Sequence, residues 1–185
     1  VPNRYESLAS LGLLHFEQPN HSTDSPNQPF EIVFIGRQRP SSRLDILIEA
    51  INILERRRYN IKCHLIGPSS TFSSKSIICY GPLFGDDIAF IARRATVGVY
   101  PGDAGLSVLH YMSLGLCPVI HSSMNMHMGP EPYYVSDMVN GVLFTRLSSQ
   151  SLASKISYLA DNPSVTSRLR LSARQFSEEL HSVDY

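Results

Sequence analysis

One stretch of the chain, residues 97–110 (VGVYPGDAGLSVLH), has the pattern of a strand that runs through a glycine-rich turn into a helix. Its first four residues are apolar and partly β-branched, which is typical of a strand buried on both faces of a parallel sheet. A proline ends that strand, and Gly102 and Gly105 allow another group to approach the backbone closely. Apolar residues at helical spacing from Leu106 onward predict a helix that begins near Ala104.

The first N–H groups of such a helix make it a candidate phosphate site. They have no acceptor within the helix and carry the positive end of its dipole. The residues that would present or surround these amides are Gly102, Asp103, Ala104, Gly105, Leu106 and Ser107. Structural alternatives stay open, because glycines also serve as plain turn residues, Asp103 could cap the helix, and Ser107 could bond the backbone.

The rest of the chain alternates between strand-like and helix-like patterns. Strands are predicted at residues 31–35, 61–66, 76–80, 97–100, 117–121 and 141–144. Further helices are predicted at residues 44–54, 86–95 and 132–138, and two more close the chain. This alternation with short connections predicts an α/β fold of the Rossmann-like, doubly wound type, with a mostly parallel six-stranded sheet and helices on both faces.

Length and composition fit one domain. A chain of 185 residues, 43% of them hydrophobic, can bury a single sizeable core. Residues 21–29 are polar and interrupted by prolines, so residues 1–29 are predicted to be a linker or loop and residues 30–185 the domain.

The charge balance argues against nucleic acid as a partner. Sixteen basic residues are matched by sixteen acidic ones, which leaves no net electrostatic attraction for a polyanion. No apolar run approaches the roughly 18 residues of a membrane span, and the first residues lack the regions of a signal peptide, so a cytoplasmic protein is predicted. Cys63, Cys79 and Cys117 lie in strand-like segments and are predicted to be buried free thiols.

Ligands of doubly wound sheets bind outside the carboxyl ends of the strands, so residues that follow strands are candidates. Arg37 follows the first predicted strand and carries a planar donor suited to a diphosphate, although it could equally be a solvated loop arginine. His121, at the end of the fifth strand, and His127 flank a Met-rich loop, with Glu131 nearby. Their spacing matches no common zinc pattern, and a solvated or hydrogen-bonded loop is expected there.

Residues 101–110 (PGDAGLSVLH), followed by residues 111–120 (YMSLGLCPVI), resemble the signature of the family 4 retaining glycosyltransferases. In that family a Gly-Leu helix start precedes a strand with a small residue, Gly, any residue, then Pro-Val-Ile. Most members carry two glutamates at the positions occupied here by Gly102 and His110. A sub-branch similar to bacterial surface-polysaccharide and lipopolysaccharide transferases accepts a Pro-Gly-x-x-Gly-Leu-x-x-x-His form, and this chain is most similar to that branch.

The resemblance covers roughly residues 30–160 and implies roles for individual residues. A diphosphate would lie over the glycine-rich helix start, with Arg37 against it. Ser42 stands where the family has a lysine, and Arg43 follows and could replace that lysine. Leu83 and Phe84 match the place of the nucleotide base, and His110 that of the ribose. A packing role for Phe84 and for His110 stays open.

The function implied is that of the nucleotide-sugar-binding, C-terminal half of a GT-B enzyme, preceded by a missing N-terminal acceptor domain. The chain would bind a nucleotide sugar for retaining transfer of a hexosyl group to a saccharide or lipid-linked acceptor in cell-surface polysaccharide synthesis. No metal ion or cofactor is implied, and the isolated chain would be inactive, since catalytic groups are expected partly from the other half. The whole enzyme would be cytoplasmic or peripheral at the inner membrane face.

Two alternatives remain open on the sequence. A degenerate, non-catalytic domain is favoured by the loss of both family glutamates and of the clamp lysine. A sugar-nucleotide epimerase of related architecture would keep a nucleotide site and change the chemistry.

Overall fold

A computed structural model of the chain describes residues 28–70, 72 and 74–182. Six parallel strands form one sheet: β1 (Phe30–Ile35), β2 (Ile61–Ile66), β3 (Ile77–Gly81), β4 (Val97–Val99), β5 (Cys117–His121) and β6 (Val142–Phe144). Their order across the sheet is β3-β2-β1-β4-β5-β6. The order reverses between β1 and β4, which marks the topological switch point at which doubly wound folds bind ligands. The predicted fold class is confirmed.

Five α-helices cover the sheet: α1 (Leu44–Arg56), α2 (Asp86–Ala92), α3 (Ser107–Ser113), α4 (Ser149–Asp161) and α5 (Pro163–Ser182). On one face, α1 and α4 build the largest core with the strands. Leu47, Ile51 and Leu54 of α1 recur at helical spacing and are fully buried there. On the other face, α2 and Tyr111 of α3 pack against β1 and β2, and a third cluster joins α3 to β5 and α5.

All six predicted strands lie within one or two residues of the observed ones, and one helix start is wrong. The helix after β4 begins at Ser107 and not at Ala104, because the Ala104 carbonyl, which a helix starting there would offer to Val108, accepts the N–H of Met128. The helix predicted at residues 132–138 is a single 3-10 turn, Glu131–Tyr134.

The predicted linker, residues 1–29, falls outside the described residues apart from its last two positions. All three cysteines are free thiols as predicted, and Cys63 and Cys117 are buried, but Cys79 is only partly buried because it lies on the edge strand β3. In the described part of the chain, every helix is too short or too polar to cross a bilayer.

Candidate functional site

Tyr111 holds β1 and β4 apart at the switch point. The two strands pair only through Ile32 with Val97 and Val33 with Gly98. Beyond that, the fully buried Tyr111 hydroxyl accepts the N–H of Ile35 at 3.0 Å and donates to the carbonyl of Val99 at 3.1 Å. The side chain therefore takes the place of direct strand pairing at the carboxyl ends of the two strands, which is where a doubly wound sheet has its ligand crevice.

Gly102 and Ser41 fix the two loops that flank this crevice. The N–H of Asp103 donates to the Ser41 carbonyl at 3.0 Å. A Cβ at position 102 would lie 1.9 Å from the Ser41 oxygen, so no side chain fits there in this arrangement. This contact explains why a glycine stands where the resembled family has a glutamate.

The loop after β1 carries the candidate cations. Arg37 is exposed and makes no hydrogen bond or ion pair with the described residues, so it is available to a ligand. Arg43 instead forms a bidentate pair with Asp45, at 2.9 and 2.7 Å. That pair raises the pKa of Arg43 and lowers that of Asp45. An open groove of about 330 Å³ runs beside this pair, lined by Gln38, Arg39, Pro40, Arg43, Leu44 and Asp45.

Ser42 is fully buried, and its hydroxyl serves its own turn. It donates to the carbonyl of Arg39 at 2.7 Å and accepts the N–H of Arg39 at 3.2 Å. These bonds shape the loop that reaches Gly102, so the geometry assigns Ser42 a role in supporting the loop backbone.

The turn before α3 presents unpaired backbone donors. No acceptor in the described part of the chain meets the N–H groups of Gly105, Leu106 or Ser107. The helix ladder starts only afterwards, with Val108 donating to Gly105 and His110 donating to Leu106. Three consecutive unpaired amides after β4, with an exposed arginine after the neighbouring strand β1, form a suitable environment for an anion.

Of the remaining predicted residues, His110 lies on α3, and Leu83 and Phe84 lie after the edge strand β3. The side chain of His110 is partly buried, which lowers its pKa, and it makes no hydrogen bond with the described residues. Leu83 packs at the edge of the core between α2 and the sheet, whereas Phe84 is 79% exposed. Both follow β3, on the opposite side of the switch point from β5 and β6.

Asp103 joins the ends of three strands. Its Oδ1 atom accepts from Nε2 of His121 at 3.1 Å and from the guanidinium of Arg146 at 3.2 Å. The fully buried His121 ring stacks on His127, with centroids 3.8 Å apart. Burial, followed by the neighbouring His127, lowers the pKa of His121. The cluster therefore holds a neutral imidazole against a carboxylate that Arg146 compensates.

The tautomer of His127 follows from its two contacts. Nδ1 accepts the N–H of Ala104 at 3.0 Å and so carries no proton, which leaves Nε2 to donate to the His121 carbonyl at 3.0 Å. Burial lowers the pKa of His127, in keeping with this neutral form. Sequence spacing did not reveal this cluster, because its members come from three separate strand ends. Among the described residues, no group of three or more His, Cys, Asp or Glu side chains is arranged to hold a metal ion.

A sequence-family comparison matches residues 29–162 to the glycosyl transferases group 1 model. The chain belongs to the glycosyl transferases group 1 family. The matched residues extend from the start of β1 to the end of α4, so this group 1 domain has the family sequence pattern over its whole sheet. No protein of curated function matches it in sequence.

The solved structures that the group 1 domain resembles are glycosyltransferases of GT-B architecture. TarM is 19% identical in sequence, and the match covers 85% of this chain and 34% of the TarM chain, with a TM-score of 0.70. HepE of Anabaena, solved with UDP-glucose, is 18% identical, and the match covers 82% of this chain and 44% of the HepE chain, with a TM-score of 0.69. The C-terminal domain of LpcC from Francisella tularensis is 18% identical, and the match covers 84% of this chain and 87% of the LpcC domain, with a TM-score of 0.70. The chain thus spans about a third of TarM and under half of HepE, and nearly all of the isolated LpcC domain.

Proposed function

We propose that this group 1 domain is the donor-binding half of a retaining glycosyltransferase and binds a nucleoside diphosphate sugar at the β1–β4 crevice. The observation that carries the proposal is the placement of three unpaired amides, at residues 105–107, after β4 and of the exposed Arg37, which has no partner among the described residues, after the neighbouring strand β1. Support also comes from the family match and from HepE, a protein of the same fold that was solved with UDP-glucose.

The free amides and Arg37 would stabilise the charge that develops on the diphosphate as it leaves the sugar. Preorganised donors of this kind act without reorganising during the reaction, and the proposal requires no metal ion. Arg43 would contribute less, because Asp45 already balances its charge. His110 would face the ribose, and Leu83 and Phe84 the base.

The acceptor side of the reaction belongs to the proposed N-terminal half. We propose a saccharide or lipid-linked acceptor and a role in cell-surface polysaccharide synthesis at the cytoplasmic side of the membrane. Hexosyl transfer would then require both halves, so the 185-residue chain alone would bind donor without turnover. A retaining mechanism would be established by the anomeric configuration of the product that an enzyme containing both halves forms.

Calorimetric titration of the 185-residue chain with UDP, GDP and ADP tests donor binding. We expect saturable binding of at least one of them, unaffected by a metal chelator. A chain that bound none of the three would be a degenerate domain. Conversion of an added sugar nucleotide to its epimer would instead identify an epimerase.

A further inference from the structure

We infer that Glu131 accepts hydrogen bonds from hydroxyl groups on the sugar ring of the donor. The inference rests on the proposed function and identifies the residue that would recognise the donor sugar. Its starting point is a short distance: Oε2 of Glu131 lies 3.9 Å from the position that a Cβ on Gly105 would take. A carboxylate from the β5–β6 connection therefore stands beside the turn that presents the free amides.

Backbone contacts determine that position. The N–H of Ala104 donates to His127, and the Ala104 carbonyl accepts the N–H of Met128 at 2.8 Å. Three residues later Glu131 opens the 3-10 turn Glu131–Tyr134, in which Tyr133 donates to Pro130 at 3.0 Å. The connection is thus bonded to the residue next to Gly105 on one side and closed by its own turn on the other.

Gly129 provides the space for the carboxylate. A Cβ at position 129 would lie 2.3 Å from Oε2 of Glu131 and 3.3 Å from its Cδ. The backbone at this position does not require glycine, since its φ lies outside the positive range. A side chain added at position 129 would therefore displace the Glu131 carboxylate from this place.

The carboxylate is not engaged elsewhere. Glu131 is partly exposed and makes no hydrogen bond or ion pair with the described residues. The neighbouring cation, Arg146, is already bound to Asp103, together with His121. At this edge of the sheet Asp103 is the compensated carboxylate, and Glu131 is the one that remains open to a ligand.

The negative charge of Glu131 determines which ligand groups it can bind. An ionised carboxylate only accepts hydrogen bonds and repels a diphosphate, so its natural ligand in this pocket is a hydroxyl group. The strand order then indicates that the hydroxyl groups near Glu131 belong to the transferred sugar and not to the ribose. The proposed base contacts follow β3, the diphosphate lies at the switch point, and Glu131 comes from the far side, between β5 and β6. A donor laid across the crevice with its base toward β3 directs its sugar toward Glu131.

The test compares the affinity for a nucleoside diphosphate with that for its sugar conjugates. The 185-residue chain is titrated with UDP, UDP-glucose, UDP-galactose and UDP-N-acetylglucosamine, or with the GDP or ADP series if the parent chain prefers that base. We expect Glu131→Gln to weaken binding of the preferred sugar nucleotide roughly tenfold and to leave the affinity for the free diphosphate within about twofold. Gly129→Ala keeps the charge but displaces the carboxylate, and should give the same selective loss. Glu179→Gln, an exposed glutamate on α5, is the matched control.

Two results would overturn the inference alone: an unchanged affinity for the sugar nucleotide in Glu131→Gln, or equal losses for the diphosphate and its sugar conjugate. The second would place Glu131 against the nucleotide and not against the sugar. A parent chain that binds no nucleotide in any series overturns the proposed function, and this inference with it.

Discussion

The hydroxyl of Tyr111 accepts the backbone N–H of Ile35 at 3.0 Å and thereby ties α3 to the end of β1. The Tyr111 ring also lies against Gly98, where a Cβ would come within 2.4 Å of ring atoms. One side chain thus replaces strand pairing where the crevice begins and fills the space above a strand glycine.

Replacing Tyr111 by Phe should destabilise the domain by about 1–3 kcal/mol, because the ring is kept while the buried N–H of Ile35 loses its acceptor. Urea denaturation measures this change. Tyr133→Phe removes a hydroxyl from a side chain that is 63% exposed and serves as the control. Equal stabilities for the two variants would contradict the role assigned to the Tyr111 hydroxyl.

Gly102→Ala should cost roughly 1–3 kcal/mol of stability and also weaken nucleotide binding, since the added methyl forces the Ser41 carbonyl away from the glycine loop. Denaturation curves and UDP titrations report the two effects. Gly105→Ala is the matched control for the fold, because its nearest neighbours would lie at ordinary distances of 3.8 and 3.9 Å. A Gly102→Ala chain as stable as Gly105→Ala would show that the two loops adjust freely.

Arg37→Ala should lower nucleotide affinity by roughly ten- to a hundredfold, the usual effect of removing a charge-assisted hydrogen bond of about 1.5–3 kcal/mol. Arg43→Ala should cost less, because Arg43 is paired with Asp45. Calorimetry with the best-bound diphosphate measures both. Arg57→Ala removes an exposed arginine at the end of α1 and controls for overall charge. Affinity within twofold of the parent in Arg37→Ala would rule out the diphosphate contact.

The stability of the domain should fall as the pH drops below about 6.5, and His127 should contribute to that fall. Burial lowers the pKa of His127 in the folded state, so below the ordinary histidine pKa the unfolded chain binds a proton that the folded chain does not. The free energy of unfolding then decreases with falling pH by up to about 1.4 kcal/mol per pH unit for this group, until its folded-state pKa is reached.

The measurement is a set of urea denaturation curves between pH 5 and 8 for the parent and for His127→Gln. The variant should lose less stability on acidification, both because position 127 no longer titrates and because His121 loses the neighbouring charge that helps to lower its pKa, while buried His64 keeps its contribution in both proteins. Met126→Gln, in the same loop and without a titratable group, should retain the parent slope. Parallel profiles for the parent and His127→Gln would contradict a neutral His127.

Local sequence patterns were sufficient to predict the sheet, because a buried parallel strand is marked by a short run of apolar residues that lies within the strand itself. The same patterns placed the start of α3 too early at Ala104, since they carry no information that Met128 donates to the Ala104 carbonyl. They placed His121 correctly at the end of the fifth strand, but they did not reveal that its buried ring is bonded to Asp103. Contacts between strand ends that are far apart in sequence leave no periodic signal, and the polar part of this site consists of such contacts.

Because Tyr111 separates β1 and β4 with a buried side chain of the domain itself, the crevice exists before any ligand arrives. A nucleotide does not have to part the strands, and little of its interaction energy is spent on reorganising the protein. Association should accordingly be a single kinetic phase whose rate rises in proportion to nucleotide concentration, with differences between related donors expressed in how fast each one leaves.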